Sequence, residues 1–568
     1  MIKVTGCGCG CCDFSGSGMN LKGKRRRVLE DVLELMHHVQ SRLSVEEAAR
    51  TSVLSKSWLH AWCTIPNLRF HLPKEEEEEK IKERKHMTLL DVERTLKIYL
   101  DNNIPIESFE LSISIENQES ASLAEKLIRM VATKTTSVKE LSLTIRPYGA
   151  SLHLPYEILS GRNLTKIRVS VPIDGIHSVS MKTCHYHHPP KCVSLRELHL
   201  VGMHISEDVL HDILLSCSLL EKIKLLYCSK GLNSIKVKNL VCLEELQIVT
   251  MDTGSTGFEI SHVPNLHVMG CNVHMNGMSR RFGPLMNEHS ISLGSSVTEL
   301  SLGGGMIRDN ASLDMIIKLG LPFLENLTLD MDCWMLGSFH FTCSDSIKRF
   351  SLLSCPCTLV DVVHVTAPKL LFFSFYGQTM PTLLFPDSTL EQIEFCLGLN
   401  VDRVDASFFL KMREALMLSR ECSRLHIKTI NHDLPLPLEI DIDDLRRRLP
   451  FPPATNLQKL SFKTTGDECL WECSPFFQAF FEICRPQQVT AWPDTMLKDK
   501  NHFCKLMLQV LMEKKNNSNT YWPRYLKDVQ IERPDHNPKW ETLSHSHTSF
   551  LQGPNPEHLP FKFILNWC

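Results

Sequence analysis

The chain has no uninterrupted apolar run of the roughly 20 residues that a bilayer-crossing helix needs. It also has no apolar signal-peptide core, because the opening MIKVTGCGCGCCDFSGSG is rich in glycine and cysteine instead. Net charge is small, at -3 over 568 residues, which excludes a global field drawing the whole protein onto nucleic acid. The phosphate-cradling G-x-x-x-x-G-K-[ST] loop, the G-x-S-x-G nucleophile elbow and the H-E-x-x-H zinc helix are all missing. These absences lead us to expect a non-catalytic protein without a cofactor, away from membranes and nucleic acid, in the cytoplasm and/or nucleus. Its 22 cysteines are then expected to be reduced, since they are scattered and form no framework.

What is present is enough apolar material for a sizeable core: 43% hydrophobic against 22% charged residues. Residues 1–30 read as a disordered leader. Within it Cys7, Cys9, Cys11 and Cys12 stand too close for an ordinary tetrahedral zinc site. Lys22, Lys24, Arg25, Arg26 and Arg27 are either a nuclear import signal or a solvated basic run. Residues 31–72 have a helical pattern, with Leu35, Met36, Val39 and Leu43 at helical spacing, a second stripe through Val53 and Leu54, and then Trp58 and Trp62. A core that small is expected to dock on something else. The charge run KEEEEEKIKERK marks a linker over 73–86.

From residue 87 to 465 an internal repeat dominates, of the form apolar-x-x-apolar-x-apolar. It reads IESFEL, VKELSL, LTKIRV, LRELHL, LEKIKL and LEELQI, then VTELSL, LENLTL, IKRFSL, LLFFSF, LEQIEF, CSRLHI and LQKLSF, with a weaker LKDVQI from residue 526. Most intervals fall in the 20–32-residue range of leucine-rich repeats. No single repeat can bury its apolar face, so stacking is required. The expectation is an α/β leucine-rich-repeat solenoid, a horseshoe with parallel strands on its concave face and irregular helices or loops outside. The 264–296 stretch breaks the pattern and reads as loops. Residues 466–568 read as a terminal cap, with helices expected over 474–484 and 494–515 and a final strand FKFILNW.

At AARTSVLSKSW (48–58) and AWCTIPNLRF (61–70) the sequence resembles the F-box of plant F-box/leucine-rich-repeat proteins. The tail more loosely resembles the FBD-type region that follows the repeats in some of them. Where that family opens its first helix with Leu-Pro, this chain has Asp31 and Val32. The resemblance implies a substrate-recognition subunit of an SCF (Skp-cullin-F-box) ubiquitin ligase. Leu35, Val39, Leu43, Val53, Trp58 and Trp62 would hold the Skp-type adaptor, and through it a cullin-RING ligase. A protein substrate of unknown identity would sit on the repeats. The alternatives are a leucine-rich scaffold with a decayed F-box and no ligase role, and a receptor whose small-molecule ligand glues the substrate in place.

In each repeat strand the residues between the apolar positions are expected to point to the concave face. On nearby strands Lys166, Arg168, Lys222 and Lys224 are expected to form a basic patch around His199, either a dock for an acidic or phosphorylated segment or an ordinary solvated surface. Phe372 and Tyr376 are expected to be exposed aromatics, marking a contact site or covered by the cap. Cys184, His185, His187, His188 and Cys192 hold metal-ligand residue types, but their spacing fits no standard zinc site and Pro189 and Pro190 mark a loop. Gly303, Gly304 and Gly305 lack the context of a nucleotide loop.

Overall fold

A computed structural model describes residues 33–40, 42, 50–72, 88–135, 137–172, 179–181, 192–228, 232, 234–252, 257–275, 293–304, 321–331, 337–342, 346–354, 360–399, 404–429, 440–449, 452–463, 474–491, 525–534, 540–543 and 561–568. The expected leader, charged linker, the Cys184–His188 cluster, Leu43, Asp31, Val32 and the 494–515 helix lie outside the described residues. The chain divides into one compact unit of Met1–Leu266 with Met278–Gly294, and a second of His267–Gly277 with Ser295–Cys568.

In the first unit every repeat motif becomes a strand, and each strand pairs in parallel with the next. The ladder runs Asn67–His71, Ser108–Ile115, Glu140–Pro147, Lys166–Ser170, Glu197–Val201, Lys222–Leu226 and Glu245–Asp252. The alternation of the motif explains the shape. Leu198 and Leu200, Ile223 and Leu225, and Leu246 and Ile248 all point inward and are at most 1% exposed, as period-two side chains on a half-buried strand must be. The ladder starts at Asn67, ahead of the expected boundary at 87, because Leu68 and Phe70 already supply the buried alternation.

Helices fill some of the intervals. Gln118–Lys134 is opened by Asn117, whose Oδ1 accepts from the Ser120 N–H at 2.8 Å, and Glu207–Ser216 by Ser206. Elsewhere the interval makes a second short strand rather than the helix or loop expected. Leu152–Leu154 pairs with Val179–Met181, and Ser234–Lys238 with Gly257–Ser261, both in parallel. Ile235 and Val237 show why: they repeat the period-two burial of the main strands. Gly202 ends its strand at φ +69°, and a β carbon there would stand 2.3 Å from the Val171 carbonyl oxygen. Only glycine permits that approach.

The second unit carries a longer parallel ladder: Val268–Met275, Glu299–Gly304, Asn326–Met331, Arg349–Ser354, Phe372–Gly377, Leu390–Leu399, Ser419–Thr429, Leu457–Lys463 and Gln488–Ala491. Two strands were not foreseen. Val268–Met275 lies in the stretch expected to be loops, because Met269 and Cys271 take the buried places usually filled by leucine. Gln488–Ala491 extends the ladder beyond 465. LKDVQI, in contrast, is not a repeat strand: Leu526–Pro534 and Phe561–Trp567 pair antiparallel, and Phe561–Trp567 also pairs antiparallel with Gln488–Ala491. This antiparallel turn-back covers the last ladder strand, whose unpaired edge would otherwise be open to association.

Aromatic rings fill the interior of this unit. Phe339 and Phe341 stack on Phe350, which packs on Phe373 at 5.8 Å between ring centroids. The helices Ala406–Leu416 and Ser474–Ile483 meet through Phe409 and Phe480. Glu482, 4% exposed, is held by Arg446 on the Ile442–Arg448 helix at 2.6 Å. Arg446→Ala strands that carboxylate without its cation, and a loss of about 3 kcal/mol is expected from chemical denaturation. The Arg446→Met/Glu482→Leu double variant should recover most of it. A loss no larger than the ~0.5 kcal/mol of a surface site would show that the pair contributes nothing.

The buried thiols are part of these cores. Burial pushes Cys192, Cys228, Cys271 and Cys422 up to about 12, so none is poised as a thiolate at neutral pH. Cys192, the described member of the Cys- and His-rich segment read as a loop, is 0% exposed and its thiol donates to the Ile158 and Gly161 carbonyls.

Candidate protein-binding surfaces

The N-terminal helical module presents apolar side chains to solvent. Residues 33–40 form a helix, and Lys56–Cys63 a second one, capped by Ser55, whose Oγ accepts from the Trp58 N–H. A buried amide joins them: Gln40 Nε2 donates to Thr51 Oγ1 at 2.9 Å and to the Trp58 carbonyl at 3.4 Å. His37 Nε2 lies 3.1 Å from Thr64 Oγ1. With the module tied in this way, Leu35 (62% exposed), Val39 (38%) and Val53 (85%) stand outward, while Trp58 and Trp62 are half-buried.

Leu54 and Leu59 are exposed alongside them and were not among the expected contact residues. In the sequence Val53 and Leu54 belong to the second apolar stripe of the module. The structure puts both residues in a turn, because Ser55 starts a new helix immediately after them. An N-cap serine directly after two apolar residues was the signal available.

The open face of the first unit's ladder gathers the expected charged residues in two rows. One row reads Glu140, Lys166, Glu197, Lys222, Glu245, and its neighbour Ser142, Arg168, His199, Lys224, Gln247. This is not the basic patch expected. Glu197 Oε2 lies 2.8 Å from Lys166 Nζ, 3.6 Å from Arg168 Nη2 and 4.0 Å from His199 Nε2, and Glu245 Oε1 lies 2.7 Å from Lys224 Nζ. The glutamates occupy register positions between the cations and pair with Lys166, Arg168 and Lys224. Burial alone would raise the Glu197 carboxyl, but the Lys166 hydrogen bond and the surrounding cations outweigh it and hold the carboxyl below its ordinary value.

Burial lowers the His199 imidazole, reinforced by Arg168 and against the pull of Glu197. His37 and His426 are also lowered, again chiefly by burial. A histidine lowered on folding binds its proton more readily in the unfolded chain, so its contribution to stability is present above about 6.5 and lost as pH falls through the lowered folded value. The melting temperature is therefore expected to fall between pH 7.5 and pH 5, less steeply in a His199→Gln variant. Identical profiles for the two proteins would exclude His199 as a contributor.

The aromatic pair of the second unit also differs from expectation. Phe372 is buried, 8% exposed, with the Arg349 guanidinium 3.9 Å above its ring. The two are register partners on adjacent strands, so the cation covers the ring face. Tyr376 remains 41% exposed, beside Leu353 and Cys396 in register. Gly303 lies under a cross-strand hydrogen bond from Asn272 Nδ2 to Asp330 Oδ2 at 2.9 Å. A β carbon there would meet Asp330 at 2.6 Å, so glycine at 303 clears room for a neighbouring side-chain bridge. Among the described residues no group of three or more His, Cys, Asp or Glu is placed to hold a metal ion, and no helix is long and apolar enough to cross a membrane.

The first unit contains a segment already known in other proteins. Residues 124–239 match the leucine-rich-repeat model of FBD-associated F-box protein At5g56370. This segment includes the strands that carry Lys166, Arg168, His199, Lys222 and Lys224. The chain is 23% identical over 339 residues to putative F-box/LRR-repeat protein At5g02930 of Arabidopsis thaliana, covering 54% of this chain and 66% of that protein. The chain is thus similar to plant F-box/leucine-rich-repeat proteins. Two further Arabidopsis thaliana proteins are similar to it. F-box protein At5g03100 is 26% identical, over 38% of this chain and 61% of its own length. Putative FBD-associated F-box protein At5g56410 is 26% identical, over 33% and 38%. The chain thus spans less than two thirds of the length of each of these relatives.

Proposed function

We propose that this chain is the non-catalytic substrate-recognition subunit of an SCF ubiquitin ligase. Its N-terminal helices bind a Skp-type adaptor, and through it a cullin-RING ligase. The repeats hold a target protein, each parallel ladder serving as a stretch of leucine-rich solenoid. The observation that carries this reading is the exposure of Leu35, Val39, Val53, Leu54 and Leu59 on a module whose own polar Gln40 is buried. A small unit that turns aliphatic side chains outward has an unburied interface. The RTSVLSKSW run that resembles the F-box spans the turn carrying Val53 and Leu54. Such a subunit accelerates ubiquitin transfer by raising the local concentration of a target lysine near the charged conjugating enzyme, and needs no catalytic group of its own. Its place of action would be the cytoplasm and/or nucleus.

The test is co-purification of the full chain with a recombinant plant Skp-type adaptor. A stoichiometric complex supports the proposal. Absence of a complex with folded protein would favour the reading as a leucine-rich scaffold unconnected to ubiquitin.

A further inference from the structure

Between its ladder strands the second unit forms a small parallel sheet of its own, from Ser338–Thr342, Val362–Thr366 and Thr382–Leu384. Phe339, Phe341, Val363 and Val365 point inward and are at most 3% exposed, so the alternate residues face outward, as period two requires. The register sets Ser338 opposite Val362, His340 opposite His364 and Thr342 opposite Thr366. His340 is exposed and His364 half-buried. Their ring centroids are 5.5 Å apart and the ring planes are tilted by 50°. Leu384 is the register partner of His364 on its other side. None of the side chains in these outward rows is charged, so none of them repels a cation. The small outer sheets of the first unit place complementary groups side by side instead. His153 lies opposite Ser180, with Nδ1 2.7 Å from the Ser180 Oγ. Lys236 lies opposite Glu259, whose carboxylate also pairs with Lys238 at 2.5 Å. Among the described residues neither His340 nor His364 has a hydrogen bond or ion pair. Two neutral imidazoles each offer one acceptor nitrogen, and the complement to two acceptors is an electrophile held between them.

We propose that His340 and His364 together bind one divalent transition-metal ion of the zinc kind, through one imidazole nitrogen each. Imidazole is a ligand that suits zinc, copper and nickel. Two imidazoles on one tetrahedral zinc, with Zn–N bonds of about 2.0–2.1 Å, hold their ring centroids roughly 5 Å apart. The 5.5 Å separation reaches that value by rotation of the rings, with the strands in place. Cross-strand register supplies the preorganisation, because the two β carbons are fixed as direct neighbours. Two protein ligands are one fewer than a catalytic zinc site uses, and water fills the open positions. The bound ion is therefore a clasp across two adjacent strands of the second unit. It binds the folded sheet and so stabilises it by mass action. This site is separate from the adaptor surface and from both ladder faces.

The experiment titrates the full chain with zinc chloride and treats it with diethyl pyrocarbonate, which acylates the free nitrogen of an imidazole. Peptide mass spectrometry then follows each histidine separately, so zinc held by cysteines elsewhere in the chain does not enter the result. His340 and His364 are expected to become protected together, at one zinc midpoint, while the exposed His262 stays reactive. His364→Gln should raise the midpoint for His340 about tenfold or more, because the second ligand no longer acts at high effective concentration. His340→Gln should do the same to His364. Both variants should keep the melting temperature of the unsubstituted chain when zinc is absent, since the substituted side chains face outward. Full reactivity of both histidines at zinc concentrations on the order of 1 mM would overturn the proposal. So would a midpoint for His340 that is the same with and without His364, or equal protection of His262.

Discussion

Val53→Asp is expected to abolish capture of a Skp-type adaptor while leaving the protein as stable as the unsubstituted chain. Val53 is 85% exposed in a turn between two helices. The free protein meets the new carboxylate in water, where a surface substitution changes stability by no more than about 0.5 kcal/mol. In the complex the same carboxylate is buried in an apolar contact without a cation. The loss of affinity should reach about 2 kcal/mol or more, roughly thirtyfold. Trp58→Ala gives a second reading of the contact. Its ring is half-buried and its carbonyl accepts from Gln40, so truncation is expected to weaken binding and also lower the melting temperature slightly. Calorimetric titration with purified adaptor and thermal unfolding of both variants separate the two effects. An adaptor affinity unchanged by Val53→Asp, with the fold intact, would remove this surface from the adaptor contact and with it the observation on which the proposed function stands.

The largest stability effect is expected from Phe480→Ala. Phe480 is 0% exposed, and its ring packs edge-on against Phe409 at 5.1 Å, Phe476 at 5.0 Å, Phe462 at 5.6 Å and Phe408 at 6.5 Å. Truncation removes the centre of a cluster that joins two helices to the Leu457–Lys463 strand, and the surrounding rings cannot collapse fully into the space. A cost of about 3–5 kcal/mol is expected, with a fall in melting temperature on the order of 10 °C. Phe480→Leu should cost distinctly less. Near-UV circular dichroism during thermal unfolding follows the aromatic cluster directly. A change under about 1 kcal/mol for the alanine variant would show that the cluster does not hold these elements together.

The repeat strands were legible in the sequence because their signal is local. Leu198, Leu225, Leu246 and Leu327 fall where a half-buried strand needs apolar side chains, and all are at most 1% exposed. The parallel pairing of successive repeats follows from the need of each to bury its face on the next. Where the composition shifted, the signal weakened without the structure changing. Met269 and Cys271 do the work of leucines in a strand that reads as loop, and Leu68 and Phe70 begin the ladder inside what reads as the end of a helical module. The second-row strands around Ile235 and Val237 have the same alternation but no fixed spacing from the first row, so no period revealed them.

The sequence by itself determined the repeat architecture, the family resemblance and the residues that face away from the core, since each depends on residue type and periodicity along the chain. Tertiary structure alone decided which of those residues are available to a partner, because that depends on neighbours brought together from other repeats. Glu197 reaches Lys166 and Arg168 only through cross-strand register, and so neutralises cations that look free in the sequence. Arg349 covers Phe372 for the same reason. Charge and burial at a surface are properties of pairs across strands, and the order of residues along one strand does not specify them.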